Sequence, residues 1–169
     1  MTFGLLGTGY WAAETHAAAL AVHPEADFVG VWGRDAGKTQ ALATRYGVRA
    51  YDDVDALIAD VDAVAVALPP DVQAELAARA AAAGRHLLLD KPLALDVAAA
   101  DRVVAAVRDR GLASVVFFTS RFFPTVEDFL TGLAGDGPWH GARATRLSSA
   151  FQPGSPYANS PWRRERGGL

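Results

Sequence analysis

Residues 2–12 read TFGLLGTGYWA, in which a short apolar run leads directly into a glycine-rich turn. The run 2–6 predicts a strand and the segment 10–22 predicts a helix. In the G-x-G-x-x-A turn Gly7-Thr8-Gly9-Tyr10-Trp11-Ala12, the first glycine permits a tight bend and the second lets the backbone approach a pyrophosphate. The turn therefore predicts a dinucleotide at the start of the helix. A glycine-rich turn with a purely steric role is the alternative.

Short apolar runs alternate with alanine-rich helical patterns along most of the chain. Strands are predicted at 2–6, 27–32, 49–51, 63–68, 86–89 and 114–118, and helices at 10–22, 36–46, 54–59, 71–83 and 96–110. Continuous apolar strands that alternate with helices are typical of a parallel sheet covered on both faces. The predicted fold class is α/β, a doubly wound and mostly parallel Rossmann sheet.

The pattern changes after residue 118. One more helix is predicted at 122–134 and a strand at 142–151, and several prolines then forbid regular structure. A lone strand with an irregular tail cannot bury an apolar face by itself. We therefore expect two domains: a dinucleotide-binding domain at 1–120, and at 121–169 the beginning of an α+β domain that is cut short.

Composition excludes several classes of function. The chain has 169 residues, 51% of them hydrophobic, a formal charge of −3 and no cysteine, which excludes disulfides and thiolate chemistry. Its four histidines lack metal-ligand spacing, and basic residues cluster only at 163–166, so neither a metal centre nor nucleic-acid binding is predicted. No signal peptide or membrane span is recognisable, and we expect a cytoplasmic protein.

The end of the second predicted strand indicates which dinucleotide is preferred. This position often carries a carboxylate that binds a ribose 2′-hydroxyl, but the chain reads Trp32-Gly33-Arg34-Asp35. Arg34 could pair with a 2′-phosphate and stack on adenine, which favours NADP over NAD. The alternative is a solvated Arg34, with Asp35 as a displaced ribose acceptor.

A lysine follows the fifth predicted strand, within Asp90-Lys91-Pro92. It lies at the carboxyl edge of the sheet, where open α/β sheets bind ligands. Lys91 could exchange a proton with a substrate oxygen, and a cis bond to the following proline would fix its direction. A surface lysine is the alternative. The loop Leu68-Pro69-Pro70-Asp71 could form a wall of the cofactor site, or Asp71 could merely cap the next helix.

Together these motifs, followed by Ser120-Arg121-Phe122-Phe123-Pro124, resemble the Gfo/Idh/MocA oxidoreductase family. That family joins a Rossmann domain to a C-terminal domain built on an open antiparallel sheet. The resemblance implies that Lys91 lies beside the nicotinamide and takes part in catalysis, and that Asp90 replaces the usual glutamate. It further implies cofactor contacts from Thr8, Gly9, Tyr10 and Trp11 at the pyrophosphate, Arg34 at the adenosine, Leu68 and Pro69 at the nicotinamide, and Arg121, Trp162 and Arg163 from the second domain. Solvated arginines are the alternative for Arg121 and Arg163.

The chain departs from the family pattern twice. The family often has Pro-Asn-x-x-His after the fourth strand, where this chain reads Pro69-Pro70-Asp71-Val72-Gln73, and Gln73 could still hydrogen-bond. A G-x-H-x-x-D segment of the second domain would begin just beyond Leu169. We therefore expect the 169 residues alone to have little activity.

Three functional hypotheses follow. The first is an NAD(P)-dependent oxidoreductase, NADP favoured, that transfers hydride between nicotinamide and a sugar, polyol or related hydroxyl or carbonyl compound, with Lys91 as proton donor or acceptor. The second is a non-catalytic dinucleotide-binding sensor or regulatory module. The third is a domain whose glycines and Lys91 are purely structural. The resemblance also implies a small-molecule substrate and homo-oligomers formed through the missing part of the second domain.

Overall fold

A computed structural model of the protein describes residues 1–145, 147, 149 and 152–156. The chain divides into two compact units, Met1–Phe117 and Phe118–Leu169. Within the part of the chain that the structure describes, no helix combines the length and apolar character needed to cross a membrane.

The first unit is built on one sheet of six strands in which every neighbouring pair is parallel. The strands are β1 (Thr2–Leu6), β2 (Asp27–Trp32), β3 (Arg49–Tyr51), β4 (Ala63–Val66), β5 (His86–Asp90) and β6 (Ser114–Phe117). Their order, β3-β2-β1-β4-β5-β6, is that of the Rossmann fold and confirms the predicted fold class. The prediction for β4 was two residues too long, because the chain leaves the sheet before Leu68 and Pro69.

The helices that follow the strands are α1 (Ala18–Val22), α2 (Ala36–Tyr46), α3 (Val54–Asp60), α4 (Pro70–Ala82) and α5 (Val97–Asp109). Asp35, Asp53 and Asp96 accept backbone hydrogen bonds at the amino ends of α2, α3 and α5, and Gly47 ends α2 with φ of 67°. Asp71 does not cap α4. It lies in the first turn, because Pro70 occupies the first helical position and Pro69 the cap.

The first predicted helix, 10–22, is helical throughout but not α-helical throughout. Its segment Ala12–Ala17 is a π-helix, and α1 continues directly from it. The periodicity of a short alanine-rich segment does not distinguish these two helix types. The π-helical segment buries Ala12, His16 and Ala17 against the sheet.

The core lies on both faces of the sheet because successive strand residues point to opposite faces. On one face Leu6, Val64 and Val66 pack with residues of α3, α4 and α5. On the other face Leu5 and Ala65 pack with residues of the π-helical segment, α1 and α2. Burial of both faces explains why the strands are continuously apolar.

The described part of the second unit contains a 3₁₀-helix, Thr119–Phe122, and the helix α6, Pro124–Gly135. The helix predicted at 122–134 begins two residues later because Pro124 fits the first helical position. The strand predicted at 142–151 is wrong for residues 142–145, 147 and 149, which form no strand. A strand needs a hydrogen-bonded neighbour, and none pairs with these described residues. Residues 146, 148, 150 and 151 lie outside the described residues.

Candidate functional site

The loops that carry the predicted site residues leave the sheet at one edge. Leu6 of β1 is in register with Trp32 of β2 and Val66 of β4, and Val66 is in register with Leu89 of β5. The loops after these four strands therefore lie side by side at the carboxyl edge. Since β1 lies between β2 and β4, the winding of the chain reverses at β1, which is where such sheets form a ligand crevice.

The first glycine of the turn is required by the protein itself. Gly7 has φ of 129°, and a Cβ atom there would lie 2.4 Å from the carbonyl oxygen of Ala67. Its N–H donates to the carbonyl of Trp32 at 2.8 Å. The buried Ala12 Cβ is 3.6 Å from the same position. The expected roles of Gly7 in a tight bend and of Ala12 in close helix packing are therefore confirmed.

No contact seen among the described residues requires a glycine at the second position of the motif, Gly9. A Cβ atom at Gly9 would have no neighbour within 4 Å in the part of the chain that the structure describes. Ala13 donates a hydrogen bond to the carbonyl of Gly9 at 3.0 Å, so Tyr10 and Trp11 belong to the first turn of the helix. Backbone N–H groups of a first turn have no partner within the helix. Open space at a glycine beside such a turn is what a closely approaching anionic group requires, and the turn fits a pyrophosphate.

The end of β2 packs against this turn. A Cβ atom at Gly33 would lie 2.6 Å from the Cγ2 of Thr8, so the position has no room for a carboxylate side chain. Asp35 accepts a hydrogen bond from the Lys38 N–H at 3.0 Å, and its other oxygen lies 3.8 Å from the Lys38 ammonium. This occupation of Asp35 as a helix cap disfavours its use as a ribose acceptor. Arg34 is exposed beside it, and no ion pair is seen for it among the described residues.

Lys91 lies directly after β5 with an exposed side chain, and the bond to Pro92 is cis. Its N–H donates to a carboxylate oxygen of Asp90 at 2.8 Å. The buried Gln73 of α4 hydrogen-bonds to the backbone of residues 90–93. The expectation that Gln73 could hydrogen-bond is thus confirmed. Its partners were not foreseeable, because they come from a loop 17 to 20 residues away.

The loop Leu68-Pro69 follows β4 and stands between the glycine-rich turn and the Lys91 segment in strand order. Both residues are half-buried. The carbonyl of Pro69 accepts hydrogen bonds from the N–H groups of Val72 and Gln73, at 3.1 and 2.9 Å. These bonds fix the start of α4 at the same edge as the turn.

Sequence reasoning missed the importance of His16. This side chain is only 3% exposed, and its Nε2 atom has no hydrogen-bond partner among the described residues. The ring meets Phe117 edge-on, with 6.1 Å between ring centroids. Burial lowers the pKa of His16 because the charged ring would lose its water, and the Asp90 carboxylate opposes part of this effect. A neutral imidazole therefore lies near the segment that carries Lys91.

A cavity of about 460 Å³ also borders His16, between the first helical region and the sheet. Its wall includes Met1, Glu25 and Ala26, which lie at the amino ends of β1 and β2. It therefore reaches the amino edge of the sheet. The described residues contain no cluster of three histidine, aspartate or glutamate side chains that could hold a metal ion.

The remaining predicted contacts belong to the second unit. Arg121 is exposed in the 3₁₀-helix Thr119–Phe122. Trp162 and Arg163 lie outside the described residues. The approach of these three side chains to a cofactor stays a prediction.

The fold and the crevice define a Rossmann domain of the dinucleotide-binding class. A family model described as "Oxidoreductase family, NAD-binding Rossmann fold" matches residues 1–118. The chain belongs to this family, the Gfo/Idh/MocA oxidoreductases. The resemblance read from the sequence motifs is therefore confirmed.

The individual relatives are longer than this chain. A dTDP-3,4-didehydro-2,6-dideoxy-alpha-D-glucose 3-reductase of Streptomyces antibioticus is 32% identical over 99% of this chain and 51% of its own length. An inositol 2-dehydrogenase of Rhizobium meliloti is 36% identical over 72% of this chain and 37% of its own. The crystal structure of KijD10, a 3-ketoreductase from Actinomadura kijaniata in complex with NADP and TDP-benzene, superposes with a TM-score of 0.74 at 30% identity, over 80% of this chain and 42% of its own. The chain thus spans about half, or less, of these relatives.

Replacing His16 by phenylalanine should reduce the loss of stability that acidification below pH 6.5 causes. The pKa of His16 in the folded chain is below the usual 6.5, so the unfolded chain binds more protons as the pH falls. The contribution of the neutral ring to the free energy of unfolding is full above pH 6.5 and is lost on acidification. Urea unfolding at several pH values measures this effect. His140→Gln, at an exposed position, should keep the wild-type profile, and an unchanged profile for His16→Phe would contradict a buried neutral imidazole.

Proposed function

We propose that this chain is the coenzyme-binding part of an NAD(P)-dependent oxidoreductase, with NADP preferred. The observation that carries the proposal is the open space at Gly9, a glycine that no protein atom requires, at the edge that Lys91 shares. At the amino end of a helix on the carboxyl edge of the sheet, such a glycine leaves the room that a pyrophosphate needs to approach the backbone.

Different residues at this edge bind different parts of the coenzyme. Thr8, Gly9, Tyr10 and Trp11 contact the pyrophosphate, where the positive end of the helix favours an anion. Arg34 pairs with the 2′-phosphate, since Gly33 leaves no carboxylate that would repel it. Leu68 and Pro69, half-buried between the turn and β5, border the nicotinamide together with Asp90.

Lys91 exchanges the proton of the reaction. When bound, the nicotinamide supplies hydride transfer to or from a substrate carbon. The exposed Lys91 ammonium donates a proton to the substrate oxygen during reduction, and the neutral amine accepts it during oxidation. The Asp90 carboxylate accepts the backbone N–H of Lys91 at 2.8 Å and so helps to fix the residue from which the ammonium extends.

The substrate class comes from the relatives. Their names include a nucleotide-sugar 3-reductase and an inositol 2-dehydrogenase, both of which act on a ring carbon that carries a hydroxyl or keto group. We extend this chemistry to a sugar, polyol or related compound. A substrate domain at 121–169, homo-oligomers formed through it and a cytoplasmic location stay predictions.

Replacing Gly9 by alanine should weaken NADPH binding by roughly tenfold or more, about 1.4 kcal/mol, while stability changes little. The added methyl group meets no protein atom within 4 Å and can clash only with a ligand. Fluorescence titration of NADPH against the tryptophans, which include Trp11, gives the dissociation constant, and thermal unfolding gives stability. Gly7→Ala is the contrast, because its methyl group would meet the Ala67 carbonyl and lower stability. Equal NADPH affinity in wild type and Gly9→Ala would argue for a purely structural turn.

Replacing Arg34 by alanine should reduce affinity for NADPH by about 1.5–3 kcal/mol, roughly ten- to hundredfold. NADH affinity should stay within a factor of about two, because NADH lacks the 2′-phosphate that the guanidinium would pair with. Calorimetric titrations with both coenzymes measure the ratio. Arg108→Ala, at an exposed position of α5, is the matched control and should leave both affinities unchanged. An equal loss of affinity for NADPH and NADH would contradict the proposed preference for NADP.

Replacing Lys91 by methionine in the complete protein should lower kcat by about 10²–10⁴-fold, the usual size of a proton-transfer contribution. NADPH affinity should change little, because the pyrophosphate and adenosine contacts remain. Turnover is measured with NAD⁺ and NADP⁺ and a panel of myo-inositol, D-xylose and nucleotide sugars. If the coenzyme binds but neither wild type nor variant turns over any of these compounds, the alternative of a non-catalytic sensor is preferred.

A further inference from the structure

Gln73 is a polar side chain at a position that would normally be apolar. It is 1% exposed and is among the largest fully buried side chains of the first unit. It lies in the first turns of α4, among the buried residues that face the sheet. A buried amide is tolerated only when its polar atoms are hydrogen-bonded.

All hydrogen bonds of the Gln73 side chain go to one segment, residues 90–93. The Oε1 atom accepts from the N–H of Asp90 at 2.9 Å. The Nε2 atom donates to the carbonyls of Asp90, Pro92 and Leu93, at 2.7, 3.0 and 3.2 Å. An amide nitrogen has two hydrogens, so one of them is shared between two carbonyls. Both ends of the amide are therefore occupied by this loop.

The loop needs such a partner because its neighbouring strand has ended. The last registered pair between β4 and β5 is Val66 with Leu89, so β4 offers no backbone to Asp90. On the other side, Asp90 is still in register with Phe117 of β6. The Gln73 amide makes two hydrogen bonds with Asp90, accepting one from its N–H and donating one to its carbonyl, as the backbone of a neighbouring strand would.

These contacts surround Lys91 without touching its side chain. Gln73 holds the residue before it and the two residues after it, and Asp90 accepts the Lys91 N–H. The Lys91 side chain is exposed, while the backbone on both sides is fixed from the interior. The position of a long flexible side chain depends on the position of its backbone, so fixing the backbone restricts where the Lys91 ammonium can lie.

We propose that Gln73 is a positioning residue that, by clamping the backbone of residues 90–93, places the Lys91 ammonium at the carboxyl edge of the sheet. The importance of that placement rests on the proposed function, whereas the clamp itself does not. An amide is required because three carbonyls need a donor and one N–H needs an acceptor. A carboxylate of the same shape cannot donate, and a methionine can neither donate nor accept usefully.

The clamp is tested first in the wild-type chain by hydrogen exchange of single amides. The Asp90 N–H lies at the end of a strand, yet it should exchange as slowly as core amides of β4, because Gln73 accepts its hydrogen from the interior. In Gln73→Glu and Gln73→Met its protection should fall by about tenfold or more relative to those core amides. Rapid exchange of the Asp90 N–H in the wild type would overturn the proposal without any variant. Gln40→Glu, the same change at an exposed position of α2, should leave protection unchanged.

The placement of Lys91 is tested by acetylation, which is simple to follow because the chain has only two lysines, Lys38 and Lys91. Bound NADPH should slow acetylation of Lys91 in the wild type and in Gln40→Glu. In Gln73→Glu and Gln73→Met, at saturating NADPH, this protection should largely disappear, while acetylation of Lys38 serves as the internal reference. Retained protection of Lys91 in both Gln73 variants would overturn the proposal. Absence of protection in the wild type would instead contradict the proposed function, so the two failures are distinguishable.

A double-mutant cycle in the complete protein separates positioning from general stability. Gln73→Met should lower kcat by roughly 10- to 100-fold, the size expected when a reacting group is displaced by about 1 Å, with little change in NADPH affinity. In the Lys91→Met background the same substitution should have no further effect on kcat, because the group it positions is gone. A fully additive loss in the double variant would assign Gln73 a structural role only and overturn the proposal.

Discussion

The site depends on the close approach of two backbones at the end of β1. Gly7 donates its N–H to the Trp32 carbonyl, and no side-chain atom could fit between it and the Ala67 carbonyl. This contact joins the end of β1 to the strands on both sides of it. The helix must therefore begin at the centre of the sheet edge, with its first-turn N–H groups facing the crevice. The motif therefore needs glycine at its two positions for different physical reasons. Gly7 allows the close approach of the backbone to Ala67, and Gly9 leaves space for a ligand.

The second contact that fixes the edge of the crevice lies at the end of β5, two strands from β1. Where β4 ends, β5 continues by one residue with a strand partner only on its β6 side, and the buried amide of Gln73 takes the place of β4 on the other side. This arrangement connects α4, which begins at the Pro69 carbonyl, to the loop that carries Lys91. The crevice is therefore bordered by one segment fixed through a glycine and another fixed through a buried polar side chain. His16, buried and neutral beside Asp90, adds no charge that would compete with the Lys91 ammonium.

Much of the fold could be predicted because its signals are local. Mostly apolar runs of three to six residues defined the strands, and residues such as Asp35, Asp96 and Gly47 marked the helix ends through their own backbone preferences. The errors fall where local signals compete with longer-range contacts. The chain leaves β4 before two prolines although Leu68 is apolar, and residues 142–145 form no strand although their side chains would suit one. Strand formation depends on a neighbour that the local sequence does not reveal.

The sequence by itself determined the fold class, the order of the elements and the residue types at the crevice, because each depends on periodicity, turn chemistry and a short motif. Tertiary structure decided how those residues are held. It assigned Asp35 to a helix cap and joined Gln73 to residues 90–93. Among the described residues, it left open space at Gly9 and buried the His16 Nε2 atom without a hydrogen-bond partner. These outcomes depend on atoms far apart in the chain, and their distances are fixed only when the helices pack on the sheet.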